Sequence, residues 1–572
     1  MAKKIEMGPE IKNFRELLNH SIEKYKENIA YKYKKSLKEP IEYIEKTYEQ
    51  VGKDVKALGT ALLDEKFSGK RIALIGANRY EWCVSYFAIT CSGNLVAPMD
   101  KLLPENEILS LVNRSEVDAV ICDEKYLEIF KKAKSDENNN LKMIICMDNC
   151  DDEEIITFEA LIKKGNELIE NKDNSFDKVQ IDEEKMSIML FTSGTTSQSK
   201  IVMLSQKNIC SNLYAYQTHF KILPTDTLLS FLPIHHTFES SITILYGFYC
   251  GAKVAFCDGL RYIQPNLKEY QVSVFVAVPL LLETMYKKIL KGIEDKGKTK
   301  LIKIMTKVSN FLLKLHIDVR KLLFKQILDN FGGKLRIVLY GAASLDKETI
   351  VGLNGFGINS IQGYGLTETS PVLVAESETK HKPGSAGYPL DNVELKIVNV
   401  DKEGTGEICA KGPNIMLGYY NDEKKTNEAI EDGWFKTGDL GYIDEDGFLF
   451  ITGRKNDVIV LRNGKNVYPQ EIEFVINKLP YVEESMVYSR ESSKTDTLLV
   501  AKIVYNKEMM EEKFNGQDYE KAIWNDIKEM NKTLPTYKHI KKIIVTDEPM
   551  VKTTTQKVKR NEEIKKTEKQ FK

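Results

Sequence analysis

The chain has 572 residues, 42% hydrophobic and 29% charged, a balance that excludes wholesale disorder and at ordinary domain size implies about two to four domains. Its 82 Lys and Arg against 83 Asp and Glu leave a net charge of -1, which gives the whole molecule no field suited to nonspecific nucleic-acid binding. Nine cysteines with no CxxC pair read as buried apolar side chains in a reducing compartment, not as a zinc site or disulfide framework.

The first residues, MAKKIEMGPE, mix acids and bases without an apolar stretch, so no secretory signal is expected. No uncharged apolar run reaches the ~18 residues of a membrane span. The expected location is the cytosol, with contact to the inner face of a membrane at most from one side. RIALIGAN (Arg71 to Asn78), VDAVICD (Val117 to Asp123), KMIICMD and VSVFVAV (Val272 to Val278) resemble strands buried on both faces. Helix-like stretches separate them, and this alternation predicts an α/β body of parallel or mixed sheets covered by helices. Ile188 to Phe191 ends a strand-like run and delivers Thr192-Ser193-Gly194-Thr195-Thr196-Ser197-Gln198-Ser199-Lys200. Hydroxyls, a glycine and a lysine at a strand end suit a polyphosphate, although a Ser/Thr-rich surface turn has the same composition. The GxxxxGK[ST] spacing is absent, so the P-loop mechanism does not transfer.

Between Glu283 and Arg336 fourteen Lys and Arg face five Asp and Glu. Overall neutrality therefore hides a local charge of +9. Leu301, Ile304, Met305, Val308, Phe311, Leu312 and Leu315 recur there at helical spacing. Such a helix lies either on an anionic membrane or against the body with its lysines solvated. Next, Gln362-Gly363-Tyr364-Gly365-Leu366-Thr367-Glu368-Thr369 offers an aromatic face, glycines for close backbone approach, a hydroxyl and a carboxylate able to ligate Mg²⁺. VELKIVNV, GEICAKG and GYIDEDGFLFITGR are shorter and turn-punctuated, with hairpins expected at Glu403-Gly404 and Glu445-Asp446-Gly447. Trp434 to Asp439, followed by Gly453-Arg454, presents a carboxylate able to accept both hydroxyls of a ribose. Beyond Arg454 the pattern resets to a small α+β unit, so the expected division is 1–453 and 454–572.

Together these three clusters, in this order, resemble the adenylate-forming superfamily of acyl-CoA synthetases, luciferases and nonribosomal adenylation domains, over roughly Phe14 to Arg560. The resemblance implies a large N-terminal body, with a β-rich subdomain, and a small mobile C-terminal domain. It implies that Thr192, Ser193, Gly194, Thr195, Thr196 and Lys200 hold the β- and γ-phosphates of ATP, and that Gly341, Ala342 and Ala343 line the adenine and acyl pockets. Gln362, Gly363, Tyr364 and Gly365 would meet the nucleotide, Tyr364 lying against adenine. Thr367 would contact the α-phosphate, Glu368 would hold Mg²⁺, and Asp439 with Arg454 would bind the ribose. Lys557, in Thr553 to Arg560, stands where the family's catalytic lysine does. Ser197, Ser199 and Ile201 depart from the family's phosphate loop, and Gln556 replaces a glycine.

The same resemblance implies a carboxylate that is itself the nucleophile, an acyl adenylate, release of pyrophosphate and transfer to a thiol. Rotation of the small domain between the halves would use Asn456, or Asp457, as hinge. Gly464 would meet the pantetheine arm of CoA, although a simple hairpin turn there fits equally. Leu232-Pro233-Ile234-His235-His236-Thr237-Phe238-Glu239 resembles the LPxxHxxE segment of long-chain fatty acyl-CoA synthetases, where His236 would border the acyl pocket or serve as a locally satisfied helix-start residue. Glu239 is the residue an amino-acid-activating domain would use against an ammonium, and the LPxxH context favours a fatty acid. With no thiolation domain expected after Arg560, the leading expectation is a free-standing ligase joining a medium or long-chain fatty acid to CoA. An acyl carrier protein as acceptor, a ligase joining another carboxylate to CoA, and a noncatalytic nucleotide- or acyl-binding protein are the alternatives.

Overall fold

Runs of Val, Ile, Ala and Cys too apolar to face water on either side become the central strands of two parallel-cored sheets. The structure is a computed structural model that describes residues 7–192, 199–341, 345–461, 465–493, 496–552 and 558–569. The first sheet has eight strands, in the order Gly418–Tyr419, Lys200–Ser205, Met186–Thr192, Leu95–Pro98, Arg71–Ile75, Ala119–Cys122, Met143–Cys146 and Ile156–Thr157. Pairing is parallel from Met186–Thr192 to the far edge, and antiparallel where Lys200–Ser205 folds back upon it.

The second sheet has nine strands. Its parallel centre runs Lys253–Phe256, Thr227–Ser230, Val274–Ala277, Ile337–Tyr340, Asn359–Gly365. The expected doubly buried runs are strands in these two sheets, and Ala119–Cys122 and Val274–Ala277 are buried throughout. Helix Tyr80–Cys91 is buried at every position except Glu81, which is why it carries no polar stripe. A capping box at Thr47 and Gln50 starts helix Tyr48–Asp64, which closes two otherwise unpaired backbone donors.

The third sheet is antiparallel and has five strands, among them Gly406–Lys411, Trp434–Ile443 and Leu449–Arg454. The two expected hairpins are present, with Gly404 at φ 86° and Gly447 at φ 83° in the left-handed region that L-residues avoid. From Ile459 onward the chain builds its own sheets, Ile459–Val460 with Asn466–Val467 and a three-stranded sheet of Val482–Ser493, Asp496–Tyr505 and Lys542–Thr546. One apolar cluster there draws all its buried members from Ile459 to Ile543.

Helix Thr299–Lys314 departs from the packed alternative. Ile302 and Met305 turn toward the body, whereas Leu301, Ile304, Val308, Phe311 and Leu315 are exposed. Among the described residues no helix is long and apolar enough to cross a membrane.

Candidate active site

Two side-chain bridges join the three sheets around the expected site residues. Thr192 and Lys200, which flank the hydroxyl-rich segment, are paired in antiparallel register, so the two ends of that segment are held side by side. Ser193, Gly194, Thr195, Thr196 and Ser197 lie outside the described residues. At its base the Ser199 carbonyl accepts from Arg114 Nη2 at 2.5 Å. Lys200 Nζ lies 4.5 Å from the centre of the Tyr419 ring and donates to its hydroxyl at 3.4 Å. Tyr419 in turn donates to Glu368 Oε1 at 3.0 Å. Glu368 sits in the short helical turn Thr367–Thr369, directly after strand Asn359–Gly365, and is buried. One tyrosine thus joins the lysine of the first sheet to the carboxylate of the second.

Tyr419 was not among the expected site residues. Its chain position, 219 residues from Lys200, conceals the register that pairs it with Val202. The signal available was Gly418-Tyr419-Tyr420, an aromatic pair after an apolar run. Burial against Glu368 drives the Tyr419 hydroxyl well above its ordinary range, so it remains a donor at neutral pH.

The second bridge joins the second sheet to the third. Tyr364 donates to Asp439 Oδ2 at 2.7 Å, and Arg454 Nε lies 3.0 Å from Asp439 Oδ1. Asp439 and Arg454 face each other across neighbouring strands, which fixes the ion pair by register. Asp439 is buried while the Arg454 side chain is 46% exposed. Asn212 tightens the junction, since its side chain both accepts from and donates to the backbone of Val372. Asn414 donates to Thr369 O and Val372 O, both at 3.0 Å.

Several expected residues occupy this junction with other partners. Gln362 Oε1 accepts from Tyr340 at 3.2 Å, and its backbone N–H donates to buried Glu376. A Cβ on Gly365 would stand 1.8 Å from the Pro371 carbonyl, so this glycine answers to its own chain. Gly341 ends strand Ile337–Tyr340 beside Gly363, whose carbonyl would stand 3.0 Å from a Cβ there. Ala342, Ala343, Gly464, Gln556 and Lys557 lie outside the described residues. Lys552 and Val558, which flank the terminal motif, pair as an antiparallel bridge, and Arg560 is tied to Glu473 at 2.8 Å. Asn456 and Asp457 fall in the short helical turn Lys455–Asp457, with Asp457 accepting from Gln470 at 2.7 Å.

His236 Nδ1 accepts the Phe238 N–H at 3.2 Å, which leaves the proton of the neutral ring on Nε2. It opens a helical segment that continues as the π-helix Glu239–Tyr246. Glu239 is wholly buried, accepting from Ser230 Oγ at 2.6 Å and Thr243 Oγ1 at 3.0 Å. Burial outweighs these two hydrogen bonds and pushes its carboxyl from 4.5 up to about 8. The folded chain therefore keeps a proton that the unfolded chain has lost above 4.5. Stability from this group is complete below that value and drains as pH rises through about 8, at about 1.4 kcal/mol per unit. Melting curves should show Tm falling between about pH 6 and pH 8 less steeply in Glu239→Gln than in the unmodified chain; identical slopes would contradict this.

Glu368 supplies a hard oxygen, linked to Lys200 through the Tyr419 hydroxyl. No three His, Cys, Asp or Glu side chains cluster as a metal site among the described residues. The single buried carboxylate of Glu368 fits Mg²⁺, which usually takes one or two carboxylates and completes its shell with phosphate oxygens and water.

Comparison with known proteins agrees with this architecture. The family model described as AMP-binding enzyme matches residues 18–420, and that described as AMP-binding enzyme C-terminal domain matches residues 456–572. The chain is 30% identical over 553 residues to long-chain-fatty-acid–CoA ligase 5 of Mus musculus, covering 88% of this chain and 79% of the relative. It is 28% identical over 535 residues to long-chain-fatty-acid–CoA ligase 1 of Homo sapiens, covering 86% and 76%. Among solved structures, the anthranilate CoA ligase AuaEII in complex with anthranoyl-AMP superposes with a TM-score of 0.75 at 18% identity, covering 98% of each chain. ATP-bound MatB from Rhodopseudomonas palustris gives 0.73 at 21%, covering 97% of this chain and 99% of that one. At those identities the likeness to the two structures is one of fold.

Proposed function

The chain belongs to the AMP-binding enzyme family, and from that premise we propose that its carboxylate substrate is a medium or long-chain fatty acid. It is an AMP-forming CoA ligase using ATP, Mg²⁺ and CoA. The observation that carries the adenylation chemistry is the Lys200, Tyr419, Glu368 bridge, which gathers a cation and a buried carboxylate at the base of the hydroxyl-rich segment. The acyl class rests on relatives at 28 to 30% identity that are long-chain fatty acid–CoA ligases, together with the LPxxHxxE segment at Leu232 to Glu239.

In this reading the substrate carboxylate attacks the α-phosphorus, the bond to the bridging oxygen breaks, and pyrophosphate leaves with the electron pair. No general base is required, because the nucleophile is already an anion. The barrier is repulsion between that anion and a polyphosphate, which positive charge and oriented dipoles offset. Mg²⁺, when held by Glu368, supplies charge neutralisation on the phosphates. Lys200 and the hydroxyls from Thr192 to Thr196 hold the phosphates. Asp439, oriented by Arg454 and Tyr364, takes the ribose hydroxyls, with Thr367 at the α-phosphate. Gly341, Ala342, Ala343 and the Gln362 to Gly365 strand border adenine and the acyl group, and His236 lines the acyl pocket. Lys557 serves the first half only.

In the second half a thiol attacks the acyl carbon, its proton passes to solvent, and AMP leaves with the electrons of the broken C–O bond. The C-terminal domain, 454–572, turns about Asn456 to bring Gly464 to the pantetheine arm. A thioester assay offering CoA and an acyl carrier protein side by side tests the acceptor. Formation of acyl-CoA from palmitate in preference to acyl carrier protein is expected, and indifference to CoA would overturn this reading.

A further inference from the structure

Helix Thr299–Lys314 carries a row of large apolar side chains that the body does not cover. Phe311 is 63% exposed, Ile304 60% and Leu315 55%, and Leu301 and Val308 complete the row. Of the sixteen residues of this helix only Ser309 is buried. At 1.5 Å per residue the row from Leu301 to Leu315 runs about 21 Å along the axis. A continuous exposed apolar stripe of this size marks a docking surface.

The charge around the stripe decides what docks. Lys300, Lys307 and Lys314 recur every seven residues along one edge, Lys303 lies beyond them, and the helix contains no acid. The whole segment from Glu283 to Arg336 carries +9 while the remainder of the chain carries -10, from a total of -1. A second copy of this chain is a poor match, because an antiparallel twofold pairing of the stripe would set one lysine row near its duplicate. A flat surface with an apolar interior and a negative face matches both features: the stripe enters the acyl boundary and the lysines meet headgroups.

We propose that helix Thr299–Lys314 docks this protein on an anionic lipid bilayer. Leu301, Ile304, Val308, Phe311 and Leu315 insert, while Lys300, Lys307 and Lys314 pair with anionic headgroups. The -10 on the rest of the molecule is repelled by the same surface, so this face alone lies against it. Ile302 and Met305, packed on the body, hold the helix with its stripe outward.

Co-sedimentation of the full chain with vesicles of phosphatidylcholine, with and without phosphatidylglycerol, tests this without any catalytic step, so its outcome and that of the adenylation reading are independent. Binding is expected at low salt only where phosphatidylglycerol is present, and it should weaken as salt rises. Ile304→Asp with Phe311→Asp should lower the partition coefficient by at least about tenfold, and Lys300→Glu with Lys307→Glu by a similar factor. Both pairs are at exposed positions, so an unchanged Tm separates lost docking from lost folding. No binding at low salt would overturn the proposal, as would variants that bind like the unmodified chain. A dimer in sedimentation velocity that the Asp substitutions dissolve would also overturn it, by assigning the stripe to a second copy.

Discussion

Replacing Lys557 by alanine is expected to slow carboxylate-dependent ATP–pyrophosphate exchange by about 10²- to 10³-fold. Thioester formation from preformed acyl adenylate and CoA should change by less than about threefold, because the proposed role of this lysine ends with the first half-reaction. The size follows from the chemistry: one anion must approach the α-phosphorus of a polyanion, and a single cation placed where charge builds accounts for roughly 3 to 4 kcal/mol of a barrier in a water-poor site. Lys557→Arg keeps the charge but spreads it over a planar fork, so it should recover part of the exchange rate and not all of it. Equal losses in both half-reactions would instead point to damage to the C-terminal domain as a whole.

Glu368→Gln should reduce exchange by a similar factor of about 10² or more, through loss of the carboxylate assigned to Mg²⁺. The substitution keeps shape and an acceptor for the Tyr419 hydroxyl, now 3.0 Å from Glu368 Oε1. Tm should therefore move by only a few degrees, about the effect of 1 kcal/mol or less. Titration with Mg²⁺ supplies a readout that a purely structural role would not move: the variant should need a higher Mg²⁺ concentration for half-maximal rate. Tyr419→Phe offers a graded comparison. It removes the hydroxyl that contacts both Glu368 and Lys200 but leaves the ring under Lys200, so a milder loss than in Glu368→Gln is expected.

Much of this molecule was legible in its residue order. Strands buried on both faces declare themselves by unbroken apolar runs, and Ala119–Cys122 and Val274–Ala277 lie where those runs lie. Hairpins announced by Glu403-Gly404 and Asp446-Gly447 follow from the backbone freedom of glycine. What could not be read is what register decides. Tyr419 reaches Glu368 only because Gly418–Tyr419 pairs with Lys200–Ser205, and no local pattern encodes a pairing over two hundred residues.

Periodicity likewise places seven apolar residues from Leu301 to Leu315 on one helical face, yet Met305 turns toward the body while Ile304 and Phe311 turn to water. Helical spacing defines a face and not what covers it. Gly365 is a third case: a glycine expected to admit a ligand stands against the Pro371 carbonyl of its own chain. Glu239 is a fourth, since its burial beneath Ser230 and Thr243 depends on the π-helix that begins at that residue.

The most direct measurement is ATP–pyrophosphate exchange by the unmodified chain across straight-chain carboxylates of increasing length, with amino acids as controls. Exchange that depends on added carboxylate and rises from short toward medium and long chains, with none supported by amino acids, is the predicted result. Absence of exchange with every carboxylate would contradict the adenylation account and leave a protein that binds nucleotide without using it, while a maximum at short or aromatic acids would contradict the fatty-acid assignment.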